Sequence, residues 1–240
     1  MADPLASRPA PREQILILIQ RLLEPILSRT SAGRQSRKLF ERNRDNETYW
    51  IARHRKYRGS LLSVGKIGTS HAKNLASYAK KKRRLCDILR RRRLLNLRGK
   101  SFLDAGCGVG EMSEVAYALG AEVFGVDASP VAIRQTAARL GGVNFRVDSL
   151  QNFSFGRTFD VVLCADVLYH VIDDLNWETA VRNLAAHTGG ILIIIDQLKS
   201  EPARPSLHVR FRTLKMYDDV LAECGLRQIP ARSGTAIYYR

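Results

Sequence analysis

Apolar and polar positions alternate in a regular order from residue 100 onward. Short apolar runs that end in turns, such as "KSFLDAG" and "AEVFGVDAS" (121–129), predict strands, and "EMSEVAYALG" (111–120) has the spacing typical of a helix. Pro130 opens a second helical stretch, since proline is favoured in a first helical turn. Further strand cores are predicted at 143–150, 159–171 and 189–198. This order predicts an α/β fold with a mostly parallel sheet and helices on both faces.

The first 99 residues lack this regular order and are divided by their composition. Residues 1–45 are predicted as a basic N-terminal tail with an amphipathic helix, and 46–99 as a helical lid or cap region. Residues 100–240 then form the core domain. Within the cap region, 49–70 is aromatic, basic and punctuated by glycine, which suits a loop or short helix that closes over a ligand.

Charge is distributed unevenly along the chain. Residues 1–100 hold 26 lysines and arginines against 7 acidic residues, a net of +19, whereas 101–240 carry −3 and the whole chain +16. Much of the excess lies in 80–98, where leucines and isoleucine recur among the cations at near-helical spacing. One face of such a helix can dock while the other attracts phosphates of nucleic acid, a membrane surface or a substrate. A merely solvated basic helix is the alternative.

The stretch "FLDAGCGVG" (102–110) ends a predicted strand with an acid and then places glycine at every second position. No lysine follows these glycines, which excludes a phosphate-binding loop, and Glu111 stands where a dinucleotide fingerprint has its third glycine. An acid at a helix start favours a ligand with a cationic part, for which Asp104 is also placed. Asp127 ends the next strand, where a carboxylate can accept hydrogen bonds from a ribose. The pattern indicates a nucleoside with a cationic amino-acid tail.

Four motifs, "LDAGCGVG", "VFGVDAS", "FRVDSL" and "FDVVLCADVLYHV", resemble the class I S-adenosylmethionine-dependent methyltransferases in order and spacing. "RTLKMYDDVLAECGL" and "IPARSGTAIYYR" are similar to the family's last helix and closing antiparallel hairpin. The resemblance implies a Rossmann-like seven-stranded sheet and S-adenosylmethionine as cofactor, with the glycine loop under the methionine part, Asp127 on the ribose and Asp148 beside the adenine. The implied cofactor-binding residues are Asp104, Gly106, Cys107, Gly108, Gly110, Asp127, Ala128, Asp148, Ser149 and Cys164.

Two neighbouring residues are the catalytic candidates. A sulfonium already makes its methyl group electrophilic, so aligning the acceptor contributes more than acid–base chemistry. An oxygen acceptor must still lose a proton, and His170, just after the fourth strand, is the candidate base, although it could also cap that loop or contact substrate. Tyr169 could line the pocket or pack. The tetrad N-P-P-[YF], which in relatives marks methylation of planar amino groups on DNA, is replaced by "CADV", which disfavours such an acceptor.

Candidate substrate-binding residues lie in two segments that loosely resemble bacterial methyltransferases acting on small molecules. Trp50 and Tyr57 belong to the first segment and could equally be core anchors. His208, Arg210 and Arg212 alternate along a predicted extended segment and so point to one side, where they could bind a phosphate or carboxylate. A surface charge cluster is the alternative for these three.

The sequence thus predicts a methyltransferase that acts on an O or N atom of a small-molecule acceptor, such as a natural product, a sugar or an anionic compound. An RNA methyltransferase that holds phosphates with its basic half is one alternative, and a non-catalytic binding module is another. The basic half allows contact with nucleic acid or an anionic membrane surface, and the N-terminal region allows a homodimer.

Two further expectations concern surroundings and metals. No run approaches the roughly 18 to 20 apolar residues that a membrane span requires. Four dispersed cysteines without close histidine partners predict neither disulfides nor a zinc site, which fits a reducing, cytoplasmic compartment. No metal-ligand set is visible in the sequence.

Overall fold

The computed structural model describes residue 38 and residues 45–231 and 234–240. The tail and helix predicted within 1–45 lie outside these residues, apart from Lys38 and Asp45. The described helices are α1 (Asn46–Lys56), α2 (His71–Arg91), α3 (Glu111–Ala118), α4 (Pro130–Arg139), α5 (Asp174–Ala186) and α6 (Leu214–Glu223), with 3₁₀ turns at Leu61–Ser63 and Leu168–His170. The described strands are β1 (Ser101–Ala105), β2 (Glu122–Asp127), β3 (Asn144–Val147), β4 (Phe159–Ala165), β5 (Thr188–Ile195), β6 (Ala203–Ser206), β7 (Val209–Phe211), β8 (Arg227–Ile229) and β9 (Thr235–Tyr239).

Seven of these strands form one sheet in the order β3-β2-β1-β4-β5-β9-β8. Strands β1 to β5 pair in parallel, whereas β9 runs antiparallel to both β5 and β8. The predicted Rossmann-like, seven-stranded, mostly parallel sheet with an antiparallel last strand is therefore confirmed. Strands β6 and β7 form a separate antiparallel pair beyond β5 in the chain.

Apolar side chains cover both faces of the large sheet. On one face the strands pack against Leu85 and Leu89 of α2 and Met112 of α3. On the other they pack against Trp177 of α5 and Tyr217 of α6. Leu85 and Leu89 are fully buried, and burying a leucine side chain contributes about 1.5–3 kcal/mol. The basic helix α2 is thus anchored on the core by its leucines, and its cations are held at fixed positions.

The bounds of α2 differ from those that the leucine spacing predicts. The helix begins at His71, because the Ser70 hydroxyl accepts a hydrogen bond from the Lys73 N–H at 3.3 Å and caps it. It ends at Arg91 rather than near residue 98. The first half carries few large apolar residues, so its helical period is hidden in the sequence. Tyr78 and Lys81 consequently lie in mid-helix.

Strand β4 is shorter than its apolar run predicts. It ends at Ala165, and Asp166 adopts a left-handed backbone conformation with φ of 59°. Aspartate is among the few non-glycine residues that tolerate this conformation. The chain then turns through the 3₁₀ turn at Leu168–His170. This break brings Tyr169 and His170 to the edge of the sheet where the parallel strands end.

Candidate active site

A cavity of about 480 Å³ lies beyond the carboxyl ends of the parallel strands. The loops after β1, β2, β3 and β4 meet there, since parallel strands end at one edge of a sheet. The volume is within the range of small-molecule sites. We call two parts of its lining the acidic floor, formed by Asp104, Glu111, Asp127 and Asp148, and the imidazole wall, formed by Trp50, His54, Tyr169 and His170.

The glycine loop after β1 forms one side of the acidic floor. Gly106 has a φ of 80°, which favours glycine, and a Cβ built there would overlap the side chain of Val167. Its N–H donates to the Val126 carbonyl at 2.7 Å, which ties the loop to β2. Gly106, Cys107 and Gly108 line the cavity, so this loop brings small residues against a ligand.

Asp127 joins that loop to the end of β2. Its two carboxylate oxygens accept hydrogen bonds from the backbone N–H groups of Gly108, at 2.9 Å, and Ser129, at 2.8 Å. Burial raises the pKa of this carboxyl, and the two donors oppose that rise. Each oxygen has a second lone pair, so Asp127 can hold the loop and still accept hydrogen bonds from a ligand. Ala128 beside it also lines the cavity.

The other acids of the floor at β1 and α3 are already paired within the protein. The Ser113 hydroxyl donates to Asp104 at 2.6 Å, and burial raises the pKa of Asp104 to about 6. Glu111 lies 2.8 Å from the Lys82 ammonium and 3.3 Å from the Arg139 guanidinium. The sequence pairs Glu111 with a cationic ligand, whereas in the structure its charge is balanced by cations of α2 and α4.

Asp148 and Ser149 follow β3 and lie side by side in the cavity lining. The Ser149 N–H donates to an Asp148 carboxylate oxygen at 2.8 Å. The Ser149 hydroxyl is buried and has no hydrogen-bond partner among the described residues. A buried hydroxyl is normally bonded, so this one is available to a ligand.

The imidazole wall is built by α1 and the turn after β4. The Trp50 ring centroid lies 4.8 Å from that of His170 and 5.8 Å from that of His54. The Tyr169 ring packs on His170 with centroids 4.3 Å apart. Trp50 thus lies between two imidazoles, and the wall offers flat surfaces to a ligand.

His170 is oriented by the backbone carbonyl of His208, the residue before β7. Its Nδ1 lies 2.9 Å from the His208 carbonyl oxygen. A carbonyl can only accept, so Nδ1 carries the proton and Nε2 holds a lone pair. Burial is the main cause that lowers the pKa of His170, to about 3, which keeps the ring uncharged at neutral pH. The ring lies in the cavity lining as a neutral hydrogen-bond acceptor.

Several residues predicted for the site lie away from the cavity lining. The Arg212 side chain is fully buried over the Trp177 ring, 4.6 Å from its centroid, and pairs with Asp174 at 3.0 Å. Arg210 binds the same carboxylate. Both arginines do point to one side, as the alternation predicts, but that side faces α5 rather than a ligand. The remaining residues outside the lining are Tyr57, Gly110, Cys164 and His208.

Each of these four has a structural position of its own. Tyr57 ends α1, and Gly110 precedes α3 with a φ of 77°. Cys164 is buried within β4, where burial raises the pKa of its thiol. The His208 ring stacks behind His170 with centroids 5.7 Å apart. His208 therefore lies outside the cavity lining and packs against His170.

The cavity lining also contains residues that the sequence analysis does not predict, among them the polar and aromatic Asn46, His54, Tyr78 and Lys81. Asn46, Trp50 and His54 recur every four residues, which puts them on one face of α1. The sequence shows this spacing, but the aromatic, glycine-punctuated segment 49–70 favours a loop as much as a short helix. The Lys81 ammonium lies 4.5 Å from the ring centroid of Tyr78, in the same helix. It also lies 2.7 Å from Asp166, and because that residue is far away in the chain, the ion pair leaves no local signal in the sequence.

The described residues contain no group of three or more His, Cys, Asp or Glu placed to hold a metal ion. The four cysteines are all free thiols. None of the helices in the described ranges is long and apolar enough to cross a bilayer.

Fold and cavity together define a Rossmann-like methyltransferase domain. The chain belongs to the methyltransferase domain family, which matches residues 76–227. A ubiquinone biosynthesis O-methyltransferase of Cereibacter sphaeroides is 38% identical over 104 residues, 41% of this chain and 42% of the relative. The mitochondrial enzyme of that name from Schizosaccharomyces pombe is 44% identical over 80 residues, 30% of this chain and 29% of the relative. The matches thus span less than half the length of these relatives.

Solved structures with the same fold are more distant in sequence. Magnesium protoporphyrin IX methyltransferase from Synechocystis, with bound S-adenosylmethionine, has a TM-score of 0.65 at 19% identity, covering 82% of this chain and 97% of that one. A sugar N-methyltransferase from Streptoalloteichus has a TM-score of 0.57 at 19% identity, covering 68% and 87%. At these identities the likeness shows a shared fold.

Proposed function

We propose that the protein is an S-adenosylmethionine-dependent methyltransferase acting on an O or N atom of a small-molecule acceptor. The observation that carries the proposal is that the acidic floor and the neutral imidazole of His170 line one cavity at the strand ends. Family membership supports the activity. Relatives named as ubiquinone O-methyltransferases and a sugar N-methyltransferase support small acceptors with oxygen or nitrogen nucleophiles.

The residues of the floor fit S-adenosylmethionine. Gly106, Cys107 and Gly108 line the cavity, so the methionine part can lie along this loop. Asp127 retains lone pairs for the two ribose hydroxyls, and the unpartnered Ser149 hydroxyl lies in the same lining. The carboxylates of Asp104 and Asp127 suit the cofactor's cationic groups. A pyrophosphate would meet those same charges and be repelled.

The chemistry divides between cofactor and chain. Bound S-adenosylmethionine supplies an electrophilic methyl group, so the chain must mainly align the acceptor and exclude water. Trp50 and Tyr169 present the flat surfaces that hold an acceptor beside His170. His170 would take up the proton that the acceptor oxygen loses, because its Nε2 holds a lone pair. The His208 carbonyl accepts from Nδ1 and so keeps Nε2 facing the reaction.

Methyl transfer itself tests the proposal. Purified protein is incubated with S-adenosylmethionine labelled in its methyl group and with a panel of phenols, aromatic carboxylates and amino sugars. Label is expected in at least one acceptor, and a His170→Ala variant that still binds S-adenosylhomocysteine is expected to transfer it far more slowly. If folded protein binds the cofactor product but labels nothing across a broad panel, a non-catalytic binding module becomes the better account.

We also propose that the outer face of α2 contacts an anionic surface. Lys81 forms an ion pair with Asp166, and Lys82 with Glu111. Lys80 and Arg83 are instead exposed to solvent. Phosphates of nucleic acid or membrane lipid are the matching chemistry. Binding of RNA or anionic vesicles that weakens steeply with salt and with Lys80→Ala and Arg83→Ala together would support this contact. A homodimer and a cytoplasmic location stay predictions.

A further inference from the structure

The inner face of α1 carries buried polar atoms that lack partners among the residues that the structure describes. These atoms are both ring nitrogens of His54 and both amide atoms of Asn46. His54 is only 2% exposed, yet it lines the cavity. The other buried histidine with a ring contact of this kind, His187, has its Nδ1 bonded to the Asn183 carbonyl at 2.8 Å. His54 is therefore unusual in having its hydrogen-bonding groups left for a ligand.

A buried positive charge lies directly behind this part of the wall. The Arg53 guanidinium, 5% exposed, donates to the carbonyls of Leu62 and Gly65 and lies 4.7 Å from the Trp50 ring centroid. In the part of the chain that the structure describes, no carboxylate pairs with it. Carbonyl contacts leave its net charge uncompensated, and a buried charge normally has an opposite partner.

These charges vary along the cavity. The strand-end side is acidic, and the start of α1 adds Asp45 and Glu47 to the lining. About two turns further along α1, the neutral imidazole of His54 lies in the field of the buried Arg53. That field lowers the pKa of His54, after burial as the larger cause, to about 4. An anion bound beside His54 would compensate Arg53 and accept a hydrogen bond from the imidazole. A single imidazole and one guanidinium suit a monoanion such as a carboxylate.

We propose that His54, backed by Arg53, binds the carboxylate of an aromatic acceptor that lies against Trp50 with its reacting atom at His170. The assignment rests on the proposed function and adds the acceptor's chemical class to it. His54 thereby acts as a specificity residue, separate from the catalytic imidazole.

The test uses two probes of equal shape and different charge, 2-naphthoate and 2-naphthamide, titrated into protein saturated with S-adenosylhomocysteine. Wild type is expected to bind the carboxylate about tenfold or more tightly than the amide, as a charge-assisted hydrogen bond requires. His54→Phe, which keeps the ring and removes both nitrogens, is expected to abolish that preference. His187→Phe, a matched buried substitution away from the cavity, is expected to retain it.

Stability separates this role from a structural one. His54→Phe removes two unsatisfied buried nitrogens, so without probe its Tm is expected to rise by about 2–4 °C. A fall in Tm, equal binding of both probes by wild type, or no binding of 2-naphthoate would overturn the assignment. Failure of wild type to bind S-adenosylhomocysteine would instead remove the proposed function on which it rests.

Discussion

The acidic floor and the imidazole wall differ in how far their polar groups are satisfied. In the floor, Asp104 and Asp127 accept hydrogen bonds from Ser113, Gly108 and Ser129. In the wall, neither nitrogen of His54 is bonded within the described part of the chain. The fold thus fixes the carboxylates of the floor before a ligand binds, whereas His54 keeps its hydrogen-bonding groups for a ligand. In the proposed function, cofactor recognition therefore lies at the edge of the sheet and acceptor recognition on α1.

The largest effect should come from removing the base in the wall. His170→Ala is expected to lower kcat by about 10²- to 10³-fold, the lower part of the usual range for a positioned general base, because a pKa of about 3 makes His170 a weak base. S-adenosylhomocysteine affinity should change less than about twofold, because His170 lies outside the floor. Steady-state kinetics with the best acceptor, combined with calorimetric titration, measures both values. An unchanged kcat would assign His170 to loop structure only.

A substitution in the floor should reverse that pattern. Gly106→Ala forces a side chain into Val167 at a φ of 80° and is expected to weaken S-adenosylhomocysteine binding about 100-fold. Gly142→Ala has a similar φ of 75° but open space around it, so it controls for backbone strain alone. Adding Val167→Ala to Gly106→Ala should restore part of the affinity. Equal losses in both glycine variants would show that the close approach to Val167 is unimportant.

The wall should also make stability depend on pH. The pKa of His54 is about 4 in the folded protein against 6.5 ordinarily, so between these values the unfolded chain binds a proton that the folded chain does not. Stability is therefore lost as pH falls through this window, by up to about 1.4 kcal/mol per pH unit. Asp104, with its pKa raised to about 6, acts in the opposite sense, so the variant comparison isolates His54.

Urea unfolding at pH 4.5 to 7 measures this effect as a difference between wild type and His54→Phe. The free energy of unfolding of the variant should fall less steeply toward acid than that of wild type. Parallel curves for the two proteins would mean that the folded and unfolded states protonate His54 alike.

The smallest effect is expected outside both regions. Asp174→Asn removes the carboxylate shared by Arg210 and the buried Arg212 and should cost about 1–2 kcal/mol, reduced because Asp174 is half exposed. Cofactor and acceptor binding should be unchanged. A selective rise in KM without loss of stability would return these arginines to the substrate site that their alternation first suggested.

The floor was predictable because its signals are local. Strand ends, glycine spacing and the acids Asp104 and Asp127 lie within short motifs, and the sheet order follows from alternating strands and helices. The wall was only partly predictable. His170 follows β4 directly, but His54 and Lys81 reach the cavity through tertiary packing of α1 and α2. The role of Arg212 was hidden for the same reason, because its partner Asp174 lies far away in the chain.

The proposed function depends first on cofactor binding through Asp127, and a calorimetric titration measures that binding. S-adenosylhomocysteine is titrated calorimetrically into wild type, Asp127→Ala and Asp160→Ala. Asp160 is a matched control, because it likewise accepts a backbone N–H, from Ser101 at 2.9 Å, but at the opposite end of the parallel strands. We expect binding by wild type and Asp160→Ala and a loss of about 100-fold or more in Asp127→Ala. Folded wild type that does not bind, or equal affinity in all three proteins, would contradict it.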